Sequence, residues 1–246
     1  MSFTLSQVIP WGRSFDEYLA MFALTKTDLS SSILGCGDGP ASFNAVLTRR
    51  SGHVVSVDPL YRFSQGDIQE RIRRTCDEIL EQTRKNANEF IWTSIKSVEE
   101  LGRLRMAAME EFLADYPAGV TEKRYVDGEL PHLPFPDGTF DLAICSHLLF
   151  LYSAQLSEDF HVESIKGLCR VAREVRIFPL LELGAVKSHH ADAVSARLAA
   201  DGYCVSVSTV PYEFQRAANQ MMTVRTGTEK IGSVPRNHKA SGEFTW

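Results

Sequence analysis

The sequence predicts an α/β fold: a doubly wound, mostly parallel sheet of seven strands with helices on both faces. Three observations support this fold. Apolar strand patterns alternate with amphipathic helix patterns, and such crossovers join parallel strands. A charged helical block interrupts this alternation after the second strand. The last two strand patterns are separated only by residues 211–218, too few for a helical crossover, so the last strand is expected to be antiparallel.

Length and composition favour a single domain. A chain of 246 residues, 44% of them hydrophobic, can bury one full core. We predict one domain over 1–227 and a flexible C-terminal tail over 228–246, where periodicity is lost. The sequence shows neither an apolar run near the roughly 20 residues of a membrane helix nor a secretory signal. A soluble, cytoplasmic protein without a membrane partner is therefore expected.

Charge and cysteine usage narrow the possible partners. The net charge of −5 argues against an extended nucleic-acid surface, which needs clustered Lys and Arg. The five cysteines are scattered and form no C-x-x-C pair, which is typical of small apolar residues in a reducing compartment. No metal site is predicted.

The first half of the chain contains a strand, a glycine-rich loop, a helix and a second strand. The strand pattern at 32–34 leads into the glycines of 35–39, and Pro40 is expected in the first turn of the following helix. The second strand, at 53–58, ends in Asp58 and Pro59. A helical insertion over about 62–116 follows, and it serves either as a lid over a substrate pocket or as structural packing.

The strand and helix alternation resumes after the insertion. Two amphipathic helices are predicted, in SEDFHVESIKGLCRVA and HADAVSARLAADG. The predicted strands are KRYVDG, TFDLAICS, EVRIFPLLEL, YCVSVSTV and NQMMTVRT, the third of them interrupted by Pro179.

The glycine loop disfavours a phosphate ligand. Its spacing is G-x-G-x-G, with Pro40 where a dinucleotide fingerprint has its third glycine. Asp38 places negative charge beside the loop amides, and the Lys of a P-loop is absent. Asp58 stands nineteen positions after Gly39, where its carboxylate could accept bonds from both ribose hydroxyls. S-adenosylmethionine, a nucleoside without phosphates and with a cationic sulfonium, fits this pattern.

Four stretches together make the chain resemble the Rossmann-like class I S-adenosylmethionine-dependent methyltransferases. They are the glycine motif LGCGDG, the acid Asp58, the segment VDGELPHLPFPDGTFDLAICSHLL and the reversed terminal hairpin. The likeness extends from Ile33 to Thr226. The motif DPLY at 58–61 looks like the D-P-P-Y signature of enzymes that methylate nucleic-acid amines, but here it follows the second strand instead of the fourth.

The resemblance implies S-adenosylmethionine as cofactor and assigns cofactor-binding residues. Gly35, Cys36 and Gly37 would contact its methionine half, Asp58 with Pro59 its ribose, Asp127 and Gly128 its adenine, and Ser146 the floor near the methionine group. One departure is that an acidic residue commonly stands two places before the first glycine in that family. Here that place is Ile33.

Two residues are predicted to act in catalysis. His147 follows the fourth strand and could accept a proton near neutral pH, the alternative being a packed or cofactor-positioning histidine. Tyr212 belongs to a polar group on the hairpin with Glu213, Gln215 and Asn219, which forms either a pocket wall or an ordinary turn.

Three further groups of residues are candidates for a functional or structural role. The leading segment with Trp11, Arg13, Phe15 and Tyr18 either covers the cofactor or caps the sheet. Arg176 lies inside an apolar strand and requires an acceptor if it is buried. His189, His190 and Asp192 resemble a metal site only superficially, because adjacent residues at a helix start point in different directions.

The expected function is methyl transfer to a small-molecule acceptor by in-line displacement. Two alternatives remain open at this stage, because a fold does not prove a chemistry. One is a catalytically inactive cofactor-binding regulatory or partner protein, and the other is a methyltransferase that acts on a protein or an RNA.

Overall fold

The computed structural model describes residues 10–226 and shows one seven-stranded sheet with helices on both faces. The tail predicted over 228–246 lies outside the described residues. The sheet strands are β1 (Ser32–Cys36), β2 (His53–Val57), β3 (Tyr125–Val126), β4 (Phe140–Ser146), β5 (Ala172–Phe178), β8 (Tyr203–Thr209) and β9 (Gln220–Thr226). A separate two-stranded ribbon consists of β6 (Leu181–Glu182) and β7 (Val186–Lys187).

Seven α-helices accompany these strands in the described part of the chain. They are α1 (Phe15–Met21), α2 (Lys26–Leu29), α3 (Phe43–Arg49), α4 (Gln65–Lys85), α5 (Val98–Thr121), α6 (Glu158–Val171) and α7 (Ala191–Ala200). None of the helices within residues 10–226 combines the length and apolar character needed to cross a membrane.

The strand order of the sheet is β3-β2-β1-β4-β5-β9-β8. All neighbouring pairs are parallel except the two that involve β9, which runs antiparallel to both β5 and β8. This confirms the predicted fold class, including the reversed last strand. Because the order changes direction between β1 and β4, the carboxyl ends of these strands flank a crevice in which ligands bind in open α/β sheets.

Two apolar layers hold helices against the two faces of the sheet. Apolar side chains of β4, β5 and β9 pack with α6 and α7 on one face. On the other face α1 and α3 pack through stacked rings, with Phe43 lying 4.7 Å from Tyr18 and 5.6 Å from Phe15. These rings fix the leading segment close to the glycine loop.

The helical insertion is built from α4 and α5, and it continues to Thr121 instead of ending near 116. Helix α4 presents Ile68, Ile72 and Ile79 inward at helical spacing. Tyr116 of α5 donates its hydroxyl to the carbonyl oxygens of Tyr61 and Phe63, at 2.9 and 3.0 Å. The insertion is therefore bonded to the chain that follows β2.

Three further predicted boundaries were wrong. Pro40 was expected in the first helical turn, but α3 begins at Phe43. Residues 39–40 form a turn, and the Ser42 amide donates to the Arg13 carbonyl at 3.1 Å instead of to a helical carbonyl. The strand pattern around Pro179 ends at Phe178, and the residues after it form the unpredicted β6–β7 ribbon. Strand β3 comprises only Tyr125–Val126 of the predicted KRYVDG.

Candidate active site

A cavity of about 700 Å³ opens at the carboxyl ends of β1, β2 and β4. The glycine loop, the chain after β2 and the end of β4 form its sheet-side wall. The leading segment, the insertion and the loop between β8 and β9 complete it. The six regions contribute, among others, Gly37, Asp58, His147, Arg13, Arg105 and Tyr212. A volume of this size suits a small ligand, and it also has room for two.

The glycine loop requires its glycines for two different reasons. Gly37 has φ +68°, and a Cβ built there would lie 2.7 Å from Leu148 Cδ2. Gly39 has φ +53°, but a Cβ there would meet no atom within 4 Å. Backbone conformation therefore favours glycine at both places, and the loop presents bare main chain beside Gly39. Cys36 and Gly37 line the cavity.

Gly35 has a different role, because Asp38 occupies the space next to it. A Cβ on Gly35 would lie 1.8 Å from Asp38 Oδ2. The Asp38 carboxylate accepts hydrogen bonds from Tyr18 OH at 2.8 Å and Ser56 Oγ at 2.7 Å. Burial raises its pKa to about 6, although these two donors oppose the shift. Position 33, where an acidic residue was expected, is an isoleucine, but Asp38 places a carboxylate against the backbone of the loop.

Asp58 faces the cavity at the end of β2 and is fixed by the backbone. Its Oδ2 accepts the Gly39 amide at 2.9 Å, and its Oδ1 accepts the Leu60 amide at 2.7 Å. Burial raises the pKa of Asp58, while these two amides act in the opposite direction. Each oxygen keeps a further lone pair for a ligand hydroxyl. Pro59, next in the chain, also lines the cavity.

The two residues predicted to contact adenine are separated by the structure. Gly128 lines the cavity, and a Cβ there would lie 2.8 Å from Val57 Cγ2. Asp127 is not among the lining residues, because its half-exposed carboxylate pairs with Arg62 at 3.2 Å. Arg62 itself lines the cavity, so Asp127 reaches it only through this partner.

Ser146 and His147 both line the cavity at the end of β4. The Ser146 hydroxyl lies 2.9 Å from His147 Nδ1. His147 adopts φ +53°, and its amide donates to the Phe178 carbonyl at 2.7 Å. Burial lowers the pKa of His147 well below its ordinary value, and the positive charges of Arg13 and Arg105 lower it further. The imidazole is therefore neutral at neutral pH.

The hairpin loop divides its polar residues between the cavity and the turn. Tyr212 and Gln215 line the cavity. Glu213 closes the turn by accepting from the Ala217 amide at 2.8 Å and from Asn219 Nδ2 at 3.2 Å. The Tyr212 hydroxyl donates to Glu17 Oε1 at 2.8 Å, and burial raises its pKa above the ordinary value. Tyr212 therefore remains a protonated donor.

The leading segment contributes to the cavity and also to the core. Trp11, Arg13 and Tyr18 line the cavity, whereas Phe15 stacks on Phe43 in the core. The structure thus places Phe15 in the apolar cap on the sheet and the other three residues at the cavity.

The structure adds Arg105, which sequence reasoning missed. It lies inside α5, is 1% exposed and pairs with Glu17 of α1. Two residues 88 positions apart give no local signal. The available hint was an arginine on the apolar face of the insertion, four residues after Leu101.

A contact between two distant loops roofs the cavity. We call it the clasp, and it joins residues 88–92 before α5 to residues 214–216 of the hairpin loop. The Ile91 amide donates to the Phe214 carbonyl at 2.7 Å, and the Arg216 amide donates to the Glu89 carbonyl at 2.8 Å. The Phe214 ring packs 5.1 Å from Phe90 and 5.4 Å from Trp92.

The remaining polar candidates lie outside the cavity. Arg176 finds its acceptors in Asp28, Glu174 and the Phe22 carbonyl, the last at 2.9 Å. His189 pairs with Glu182, and Asp192 pairs with Lys187. Between residues 10 and 226 no group of three potential metal ligands is found.

Comparison with known proteins gives one relative of substantial identity. No protein-family model matches the chain. It is 31% identical over 222 residues to the uncharacterized protein MJ0045 of Methanocaldococcus jannaschii, which covers 90% of this chain and 97% of the relative.

Solved structures of similar fold are distant in sequence. Magnesium protoporphyrin IX methyltransferase (ChlM) from Synechocystis PCC 6803 with bound SAM is 12% identical, with a TM-score of 0.46 over 86% of this chain and 77% of that chain. A SAM-dependent methyltransferase from Aquifex aeolicus is 15% identical, with a TM-score of 0.42 over 85% and 87%. The mitomycin 7-O-methyltransferase MmcR is 11% identical, with a TM-score of 0.45 over 86% and 53%.

The strand order with its reversed last strand is that of the class I methyltransferase fold. The chain has this fold and belongs to the same family as the uncharacterized protein MJ0045 of Methanocaldococcus jannaschii.

Proposed function

We propose that this protein transfers a methyl group from S-adenosylmethionine to a small-molecule acceptor bound in the cavity. The observation that carries the proposal is the bond between the Gly39 amide and Asp58 Oδ2, at 2.9 Å. It joins the glycine loop to the acid of the next strand where both face one cavity. A bare loop and a fixed carboxylate at adjacent strand ends are suited to a nucleoside.

The charges around the loop fit a cofactor without phosphates. Asp38 and Asp58 place two carboxyl groups beside the loop. Burial raises the pKa of Asp38, and the charge of Asp58 raises it further. A pyrophosphate would be repelled there, whereas a sulfonium cation would be attracted. The open space beside Gly39 gives such a ligand access to the main chain.

Several described residues would hold the cofactor. Asp58 would accept the ribose hydroxyls, Gly128 would lie against the adenine, and Cys36, Gly37 and Ser146 would lie along the methionine half. The bound cofactor supplies a methyl group made electrophilic by its sulfonium. The protein has to align the acceptor with that methyl group and to remove a proton where the acceptor carries one.

His147 is the residue that we assign to proton removal. When Nδ1 carries the proton and donates it to the Ser146 hydroxyl, Nε2 has a free lone pair that can receive the acceptor's proton. The lowered pKa keeps the imidazole in this neutral form at neutral pH. Tyr212, whose hydroxyl is committed to Glu17, serves instead as a positioning residue on the acceptor side.

The clasp supports a small acceptor over a macromolecule. It lays the residues before α5 across the hairpin loop and restricts access to the cavity. The net charge of −5 likewise gives a nucleic-acid substrate no broad basic surface.

Calorimetry with S-adenosylmethionine and with its demethylated product, S-adenosylhomocysteine, tests the proposal. Asp58→Ala is expected to weaken binding of both about 100-fold, because two charge-assisted hydrogen bonds contribute about 3 kcal/mol. Asp159→Asn, an equivalent change at an exposed ion pair with Arg197, is expected to leave the affinity unchanged. Circular dichroism checks that each variant is folded. Absence of binding by the folded wild-type protein would refute the proposed function.

A further inference from the structure

Two guanidinium groups share one carboxylate at the wall of the cavity. Arg13 precedes α1, Arg105 lies inside α5, and both line the cavity. Glu17 of α1 is the carboxylate that pairs with Arg105. The three side chains carry two positive charges and one negative charge.

Both carboxylate oxygens of Glu17 are bonded to groups other than Arg13. Its Oε2 accepts from the Ser14 amide at 2.9 Å, from Ser14 Oγ at 3.1 Å and from Arg105 Nη1. Its Oε1 accepts from the Tyr212 hydroxyl at 2.8 Å. Arg13 is therefore left without a carboxylate partner among residues 10–226.

The guanidinium of Arg13 is poorly satisfied. Its Nη1 donates to the Trp11 carbonyl at 3.0 Å, but its Nε is buried without an acceptor, and so is Nε of Arg105. Burial lowers the pKa of Arg13, and the charge of Arg105 lowers it further, which is the reverse of what a paired arginine shows.

The other titratable groups that interact with Arg13 add no second negative charge, and the Asp38 carboxylate, which lines the same cavity, is bonded to Tyr18 and Ser56. His147 is neutral, and burial keeps the phenols of Tyr18 and Tyr212 protonated by raising their pKa values. The cluster therefore keeps one net positive charge in a buried position, which is costly unless a ligand compensates it.

We propose that the methyl acceptor carries a carboxylate, and that Arg13 together with Arg105 binds it. This inference rests on the proposed function and names the substrate class of the same site. A carboxylate matches the planar fork of a guanidinium, and as a monoanion it neutralises the single excess charge, whereas a phosphate dianion would reverse it.

The surroundings of Arg105 add an apolar part to this substrate class. Leu101 lies four residues before Arg105 on the same face of α5, and Leu101, Ile79 and Phe214 line the same cavity. The acceptor is thus an acid with an apolar body. In the transfer, an acceptor atom outside the carboxylate bonds to the methyl carbon while the carbon–sulfur bond breaks. The bond's electron pair remains on sulfur, and the acceptor's proton passes to His147.

A fractionated metabolite extract tests the substrate class. Anion exchange at neutral pH divides the extract into retained and unretained pools, and each is incubated with the protein and methyl-labelled S-adenosylmethionine. The expected result is label transferred only in the retained pool, to a product that is itself retained. Label transferred only in the unretained pool overturns the inference. So does a labelled product that the anion exchanger no longer retains, because a methyl ester of the carboxylate would behave in this way.

The same experiment separates this inference from the proposed function. Transfer from the unretained pool keeps the protein a methyltransferase and refutes only the anionic acceptor. No transfer in either pool, with cofactor binding intact in calorimetry, refutes methyl transfer, and the anionic acceptor is refuted with it.

Variants locate the carboxylate on Arg13. Arg13→Met is expected to lower kcat/KM for the retained acceptor about 100-fold, mainly through KM, and Arg13→Lys to restore part of it. Arg103→Met, an exposed change on the same helix as Arg105, serves as the control and leaves kcat/KM unchanged. An unchanged KM in Arg13→Met overturns the assignment.

Stability gives a second readout for the uncompensated charge. Without ligand, Arg13→Met should melt at or above the temperature of the wild-type protein, because Arg105 and Glu17 still neutralise each other. Arg105→Met should melt lower, because it leaves the Glu17 carboxylate with Arg13 as a less well-placed partner. A strong destabilisation by Arg13→Met would show that its charge is already compensated, contrary to the inference.

The amino-acid tail of the cofactor is the competing source of a carboxylate. S-adenosylhomocysteine has this tail, and 5′-methylthioadenosine lacks it. The inference predicts that Arg13→Met changes the affinity for either compound less than threefold. A loss of more than tenfold for S-adenosylhomocysteine alone would assign Arg13 to the cofactor tail and overturn the acceptor assignment.

Discussion

His147 holds its imidazole at the cavity wall in a backbone conformation that few residues adopt. Its φ is +53°, and its ring lies 5.5 Å from the ring of Phe178. Asn is one of the few other residues that tolerate this region, whereas Ala would add strain. His147→Asn is therefore the variant that removes the imidazole and leaves the turn intact.

We expect His147→Asn to lower kcat about 100-fold or more, because it removes the proposed proton acceptor. Affinity for S-adenosylhomocysteine should change less than threefold. In the wild-type protein kcat/KM should stay level from pH 8 to 6.5 and decline only at lower pH, since the His147 pKa lies well below its ordinary value. Initial rates and calorimetry measure both effects. A variant that no longer binds cofactor would show that His147 holds the cofactor instead.

At the scale of single residues, the sequence identified the residues that strand ends place at the cavity. Asp58 and His147 each follow a strand whose apolar pattern is strong, and Ser146 ends one, so their position was predictable. Sequence reasoning did not find Arg105 at the cavity, and it did not foresee that Asp127 lies outside the cavity lining. Arg105 reaches the cavity through helix packing, and Asp127 is held at the surface by Arg62. Neither effect is encoded in local spacing.

At the scale of elements, the clasp is the contact that shapes the acceptor side of the cavity. Phe214 is 7% exposed and lies between the rings of Phe90 and Trp92. The backbone bond from the Ile91 amide to the Phe214 carbonyl does not depend on the side chain. Truncating this ring therefore loosens the clasp without removing its hydrogen bonds.

Phe214→Ala should destabilise the protein by about 3 kcal/mol, the typical cost of a buried aromatic truncation. It should also raise KM for the acceptor at least about tenfold, while cofactor affinity stays within threefold. Phe135→Ala is the matched control, since Phe135 packs 5.2 Å from Phe140 away from the cavity. Urea unfolding and initial rates distinguish them. An equal effect of both changes on KM would contradict a role for the clasp in acceptor binding.

The elements that the sequence predicted poorly are those without a repeating pattern. Long apolar strands such as β4 and amphipathic helices such as α6 were located within a few residues. The β6–β7 ribbon has two residues in each strand, too few for an alternation to be visible. The start of α3 depends on a bond from the Ser42 amide to the Arg13 carbonyl, which only the folded chain brings together.

At the scale of the whole molecule, a neutral histidine links stability to pH. His161 is fully buried. Its Nε2 accepts a hydrogen bond from the Phe150 amide at 3.0 Å, and its Nδ1–H donates to the Ser157 carbonyl at 2.7 Å. Burial lowers its pKa, and the nearby rings of His190 and His189 lower it further. The unfolded chain therefore binds a proton more readily than the folded one. This contribution to stability is complete above about pH 6.5 and is lost as the pH falls.

His161→Asn should cost about 1–2 kcal/mol at pH 7.5, and its difference from the wild-type protein should shrink towards pH 5.5. Asp38, with a pKa of about 6 in the folded state, acts in the opposite direction, but equally in both proteins, so it cancels in the difference. Urea unfolding at pH 7.5, 6.5 and 5.5 measures the trend. His53→Asn changes an exposed residue that starts β2, and its free energy of unfolding should differ from that of the wild-type protein by the same amount at each pH. A gap that stays constant for His161→Asn would contradict this account.

The clasp also affects how ligands enter and leave the cavity. It joins parts of the chain more than a hundred residues apart by a handful of bonds, none of which belongs to the seven-stranded sheet. The clasp can therefore open while the sheet stays intact. Under the proposed methyl transfer, we expect the clasp to open in each cycle for acceptor entry and product release, so the turnover rate would depend on this opening as well as on the chemical step.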